Sequence, residues 1–175
     1  MKAILCQSHG LPDTLALQDV ASPKPGPKQV VISVKACGVN FPDTLIIQGK
    51  YQFKPEMPFS PGGELAGVVK EVGEGVSHLK PGDHVIAFTG WGGFAEEVLT
   101  EAFKVIPIPP SFDFKVAASF AMVYGTSYHA LKDRAQLKAG ETVLVLGAAG
   151  GVGLATIQLA KAMGARVIAA ASSDK

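Results

Sequence analysis

The clearest succession of apolar runs and an apolar helical stripe lies near the end of the chain. Thr142 to Leu146 is a short, apolar, β-branched run, the pattern of a parallel strand buried on both faces. A turn crowded with glycines follows. Val152, Ala155, Thr156, Leu159, Ala160 and Met163 then recur at i, i+3, i+4, i+7, i+8 and i+11, which sets a small, apolar stripe along one side of a helix. Gly164 stands where a C-cap glycine is expected, and Arg166 to Ala171 is a second apolar run. Strand, helix and strand in this order predict a right-handed crossover unit.

The pattern before it is different. Met1 to Cys6 and Leu15 to Val20 are short strand candidates separated by the turn-prone His9-Gly10-Leu11-Pro12. Three prolines between Ser22 and Pro27 remove three backbone donors, so that passage is a surface connection. Val30, Ile32, Val34 and Ala36 alternate with Val31, Ser33, Lys35 and Cys37, the period of a strand with one better-buried face. Pro42 to Gln48 reads as a short helix capped by Asn40. Further strands are expected over Gly62 to Val72, His84 to Phe88, Ala95 to Leu99 and Phe103 to Ile106, with turns at Gly73-Glu74-Gly75, Pro81-Gly82-Asp83 and Trp91-Gly92-Gly93-Phe94. Many short strands with turns at this spacing predict a partly open β-barrel. From Phe112 to Arg134 the pattern turns helical, which divides the chain into a β domain over 1–121 and the start of a nucleotide domain over 122–175.

Composition narrows the function classes. With 47% hydrophobic residues, 18% charged residues and a formal net charge of +1, the chain is globular and gives no electrostatic reason to expect nucleic acid or an anionic membrane as partner. The N-terminal apolar stretch breaks at Gln7-Ser8-His9, before a signal-peptide core could form. No uninterrupted apolar run approaches the roughly 20 residues that a membrane helix needs. Cys6 and Cys37, the two cysteines, build no disulfide framework, and a reducing cytoplasm fits best.

Within the glycine turn, Ala148-x-Gly150-x-x-Gly153 is a dinucleotide fingerprint whose first glycine is alanine. Gly150 would let the backbone approach a pyrophosphate, and Gly153 would let the helix pack close to the first strand. Free amide groups near Gly151 and Val152 would supply donors and the positive end of the helix dipole. Other glycine-rich turns between a strand and a helix share this spelling. The flanking strand, helix and strand favour nucleotide binding.

These residues carry a family resemblance. Ala36-Cys-Gly-Val-Asn-Phe-Pro-Asp43, Pro61-Gly-Gly-Glu-Leu-Ala-Gly-Val-Val69, Val72-Gly-Glu-Gly75, Lys80-Pro-Gly-Asp-His-Val85, Gly93-Phe-Ala-Glu96, Gly125-Thr126 and the turn at Ala148 resemble the medium-chain dehydrogenase/reductases in order and spacing across almost the whole chain. Within that superfamily the sequence is most similar to the zinc-free quinone oxidoreductase branch, the zeta-crystallin-like one. The resemblance implies a GroES-like β domain, a Rossmann domain and an active site in the cleft between them. It further implies hydride transfer from NADPH to a quinone or an α,β-unsaturated carbonyl, with a homodimer for the full-length protein. Zinc-dependent relatives place a cysteine ligand where this chain has Asn40 and a histidine ligand where it has Gly63; Glu64 alone is kept. An amide and a bare glycine supply neither thiolate nor imidazole, and His9, His78, His84 and His129 lack ligand spacing, so no metal is expected.

Asn40 and Tyr51 match positions that line the family's substrate cleft, where each could donate a hydrogen bond to a carbonyl oxygen. Each also has a plainer reading, Asn40 as a helix cap and Tyr51 as a turn aromatic. Thr126 matches a position near the nicotinamide, although a threonine at a helix start also serves as a cap. For cofactor choice, an NAD-preferring domain usually places Asp or Glu at the end of the second strand, and that place falls at or beside Ala171. No carboxylate stands there. Ser172 and Ser173 could donate to a 2′-phosphate and Lys175 could offer it a positive charge, so NADPH is expected. Two other readings stay open: an enoyl-thioester or acryloyl-type reductase of the same architecture, and a non-catalytic, crystallin-like nucleotide-binding protein. Family members run on well past Lys175, so the 175 residues alone are expected to bind cofactor weakly, turn over little and expose apolar strand edges.

Overall fold

A computed structural model describes residues 1–172. The chain forms two compact units, Met1–Ser119 and Phe120–Lys175. In chain order the first contains β1 (Lys2–Leu5), β2 (Ala16–Asp19), β3 (Gln29–Gly38), α1 (Phe41–Ile46), β4 (Glu64–Val72), β5 (His84–Phe88), β6 (Glu97–Glu101), β7 (Val105–Pro107) and α2 (Phe114–Ala117). The second contains α3 (Ala121–Tyr128), continued as a π-helix over His129–Arg134, then β8 (Thr142–Leu146), α4 (Gly151–Ala162) and β9 (Arg166–Ala170).

In the first unit, β1 and β2 form an antiparallel hairpin, and five antiparallel strands form a sheet in the order β6-β3-β4-β5-β7. Its two edge strands are consecutive in sequence, joined only by a single turn of 3-10 helix over Ala102–Lys104. So short a link reaches roughly 14 Å at most, which requires the sheet to coil until its edges approach. No ladder joins β6 to β7, so the barrel is partly open. Its interior holds Val30, Ile32, Leu65, Val69 and Val85, each at most 2% exposed. At about 1.5–3 kcal/mol per fully buried side chain, this cluster is the main anchor of the unit.

The predicted alternation in β3 holds only in part, because Val30, Val31 and Ile32 are all fully buried. Bulges between Val31 and Ile32 and between Val34 and Ala36 shift the register against β4 and carry the strand through a corner. A strand was expected from Ala95 and another from Phe103; β6 begins at Glu97 and β7 at Val105. The 3-10 turn between them tucks Ala102 inward and leaves Phe103 79% exposed.

The segment expected to be continuously helical is broken. Ser119 Oγ donates to the carbonyls of Lys115 and Val116 and so closes α2 before α3 begins. Ala117 and Ala118 pack on Ala66 of β4. Their small side chains let this segment lie close to the sheet.

In the second unit, β8 and β9 pair in parallel from Thr142↔Arg166 to Leu146↔Ala170. The predicted apolar stripe of α4 is buried at Ala155 and Ala160 and half-buried at Thr156, Leu159 and Met163, whereas Val152 in the first turn is exposed. α3 packs on α4 through polar contacts: Ser127 Oγ donates to Val152 O at 3.1 Å, and Thr156 Oγ1 donates to Ser127 Oγ at 3.0 Å. Leu144, Leu146 and Ile168 are exposed on the two-stranded sheet. Among the described residues no helix is long and apolar enough to cross a membrane.

Candidate active site

Three segments of the first unit converge around Glu64. β4 begins with Glu64, which is 1% exposed. Asn40 caps α1, and its side-chain Nδ2 donates to Glu64 Oε2 at 3.0 Å. Gly38 ends β3 beside them, where a Cβ would lie 2.4 Å from Ala118 O, 3.1 Å from Glu64 Oε2 and 3.3 Å from Asn40 Nδ2. The pair therefore occupies space that any side chain at position 38 would take.

The helix start is held by Asp43. Its Oδ2 accepts from Asn40 N–H at 2.8 Å, the return arm of a capping box, while Asp43 N–H meets the backbone carbonyl of Asn40 at 3.0 Å. Asp43 Oδ1 accepts from Gly62 N–H at 3.1 Å, which ties the helix to the loop leading into β4. Burial raises the Asp43 carboxyl above its ordinary value, and the amides of Asn40, Gly62 and Gly63 offset part of that rise. Six-residue α1 could not persist alone. Ile46 and Ile47 at its end pack against Cys6 and Phe59 and fix it to the β1 strand region.

Behind this cluster, Cys37 Sγ donates to Glu64 O at 3.1 Å. Burial, with the carboxylates of Asp43 and Glu64 nearby, pushes its thiol up to about 12. Such a thiol stays protonated and is neither a nucleophile nor a ready metal ligand at neutral pH.

These residues do not fit a catalytic zinc. The Asn40 atom facing Glu64 is an NH₂ donor with no lone pair for a cation. A Cβ at Gly63 would stand 2.9 Å from Gly90 O, so the loop at Gly90 occupies the space a histidine there would need. Among the described residues no three His, Cys, Asp or Glu side chains gather as a metal cluster.

Tyr51 follows α1 after the turn at Gly49. It is half-buried against the Cys6, Ile46, Ile47 and Phe59 cluster and meets Phe53 edge-on, with ring centroids 5.8 Å apart. Among the described residues it shares no hydrogen bond with Asn40.

In the second unit the fingerprint turn follows β8. Ala148, in the place of the first glycine, is buried and its N–H donates to Ala170 O at 3.0 Å, which ties the turn to the end of β9. A Cβ on Gly153 would lie 2.3 Å from Gly147 O, so the first turn of α4 rests directly on the loop backbone. Gly150, the N-cap, is different: a Cβ there would meet only Gly147 O at 3.4 Å. The first intrahelical bond is Leu154 N–H to Gly150 O at 2.8 Å, so the N–H groups of Gly151, Val152 and Gly153 have no partner within the helix. A bare N-cap, free amides and the helix dipole together fit a dinucleotide pyrophosphate.

The remaining expected residues are placed less tellingly. Thr126 lies in the second turn of α3, exposed, and so is not the cap that the sequence allowed. Ala171 and Ser172 are exposed just past β9. Ser173 and Lys175 lie outside the described residues. Sequence reasoning missed Glu64 as the partner of Asn40 and Gly38 as the gap that admits the pair. The Asn40-x-x-Asp43 spacing was a visible capping signal, but no spacing rule links Asn40 to a residue on β4.

Residues 26–110 match the alcohol dehydrogenase GroES-like domain family. Over its full length the chain is 45% identical to the quinone oxidoreductase of Rattus norvegicus, covering 54% of that protein. The chain is thus similar to quinone oxidoreductases over its whole length and carries the alcohol dehydrogenase GroES-like domain over residues 26–110. It spans about half the length of the curated relatives it matches. The solved quinone oxidoreductase of Thermus thermophilus, studied also in complex with NADPH, superposes on 99% of this chain and 54% of its own, with TM-score 0.87 and 40% identity. The CurK enoyl reductase superposes on 99% of this chain and 55% of its own, with TM-score 0.90 and 31% identity.

Proposed function

We propose that the protein is an NADPH-dependent oxidoreductase that delivers a hydride to a quinone or an α,β-unsaturated carbonyl without zinc. The observation that carries this reading is the Asn40–Glu64 contact: where zinc-dependent relatives hold a metal, this chain presents an amide donor. The nicotinamide, when bound, supplies the hydride. Asn40 and Tyr51 donate hydrogen bonds to the acceptor's carbonyl oxygen and favour the negative charge that develops there. The amides of Gly151, Val152 and Gly153 receive the pyrophosphate beside Ala148 and Gly150, and Thr126 contributes from α3. Ser172, with Ser173 and Lys175, receives the 2′-phosphate past the end of β9. The similarity to quinone oxidoreductases, one of them solved with NADPH, supports this assignment.

The similarity to an enoyl reductase favours one second reading, an enoyl-thioester acceptor on the same chemistry. A panel of quinones, enones and enoyl thioesters offered to the full-length protein with NADPH or NADH, followed by nicotinamide absorbance, separates them. Quinone or enone reduction with NADPH is expected. Selective turnover of enoyl thioesters would favour the second reading, and no turnover of any acceptor would leave only a nucleotide-binding role.

A further inference from the structure

We propose that Glu64 is a positioning residue that orients the Asn40 amide toward the acceptor's carbonyl oxygen. This rests on the reading of Asn40 as a carbonyl donor. A primary amide has two faces of similar shape, one donating and one accepting, and free rotation would present either to a substrate. The Glu64 carboxylate accepts but does not donate, so the bond from Asn40 Nδ2 to Oε2 at 3.0 Å selects one orientation. Nδ2 carries two hydrogens. With one held by Glu64, the second remains for a substrate oxygen.

The surroundings make this pair rigid. Glu64 is 1% exposed and fixed at the first residue of β4. The Asn40 backbone is clamped by Asp43, which also holds Gly62 two residues before Glu64. Gly38 keeps the intervening space clear, since a Cβ there would crowd both Oε2 and Nδ2. α1 and β4 are thereby locked at one separation and one angle for the amide.

The test is a double-mutant cycle on the full-length protein, with Glu64→Gln, Asn40→Ala and the pair. Glutamine keeps the shape of Glu64 but both donates and accepts, so either Asn40 orientation is allowed. Loss of one oxyanion donor costs about 100- to 1,000-fold in kcat, and disordering it should cost less, about tenfold for Glu64→Gln, with KM for NADPH unchanged. In the Asn40→Ala background the same change should alter kcat less than about twofold, because the group it acts through is gone. An equal loss in both backgrounds overturns the proposal. No change in kcat from Asn40→Ala would instead defeat the reading of Asn40 as a carbonyl donor. Glu64's action on the amide is then read directly from the Asn40 side-chain NH₂ resonances. In the wild type these should show one slowly exchanging, downfield-shifted pair that moves upfield in Glu64→Gln. Two interconverting amide orientations in the wild type, or resonances unaffected by Glu64→Gln, overturn the proposal whatever the kinetics.

Discussion

The glycine turn offers a comparison in which fold and ligand separate cleanly. Gly153→Ala places a methyl group 2.3 Å from Gly147 O and 2.9 Å from the Ala148 Cα, both backbone atoms that cannot swing aside. Restoring ordinary contact requires α4 to retreat by roughly 1 Å. Overpacking of this kind costs about 1–3 kcal/mol, offset by the roughly 1 kcal/mol that alanine gains over glycine within a helix. The expected net change is a loss of up to about 2 kcal/mol, together with weaker nucleotide binding because the helix amides move. Gly150→Ala behaves differently. Its φ of −80° and ψ of 164° suit alanine, and the nearest atom, Gly147 O, is 3.4 Å away. Stability should fall by no more than about 1 kcal/mol, the disadvantage of alanine at an N-cap, while a methyl on the pyrophosphate path should weaken NADPH at least tenfold, about 1.4 kcal/mol. Denaturant melts and NADPH fluorescence titrations of the full-length variants read both quantities. If Gly150→Ala binds NADPH as wild type does, the pyrophosphate does not lie against Gly150. If Gly153→Ala loses no stability, close approach is not what requires glycine there.

Three further outcomes are expected. Ala171→Asp should weaken NADPH and improve NADH relative to it, through repulsion of the 2′-phosphate; a wild-type kcat/KM higher with NADH than with NADPH would refute the assignment of Ser172, Ser173 and Lys175. Asp43, its carboxyl raised by burial, contributes stability that is fully present below the ordinary aspartate value of about 4 and is lost as pH rises through the raised folded value. The stability advantage of wild type over Asp43→Asn in urea melts should therefore shrink as pH rises through that window, and an advantage that grows there would contradict it. Half-buried Cys37, with its thiol pushed up to about 12, should resist alkylation at neutral pH in the folded protein and react once unfolded; rapid modification in the native state would show that the fold does not hold it protonated.

The parts of the fold set by periodicity and turn chemistry were readable from the sequence. The Thr142 to Ala171 unit, the partly open barrel and the Asn40 cap all depend on local spacing or on glycine and proline punctuation. Boundaries governed by tertiary packing were not. β7 begins at Val105 because Ala102 turns inward, and α2 stops because Ser119 captures two of its last carbonyls. Val152 looked like part of the core stripe that Ala155, Thr156, Leu159, Ala160 and Met163 do form, but it is exposed in the first turn of α4, where Gly153 seats on Gly147 instead. The Asn40–Glu64 bond joins residues 24 apart on different elements, so only the folded chain reveals it.

Zinc-free hydride transfer is tested most directly by single-turnover oxidation of NADPH bound to the full-length protein, with a metal chelator present and a quinone or enone added last. The expected result is loss of nicotinamide absorbance only after the acceptor is added, unchanged by the chelator and slower when NADPH carries deuterium on the transferring carbon. NADPH that stays reduced after every acceptor is added, or is oxidised only when zinc is supplied, would contradict it.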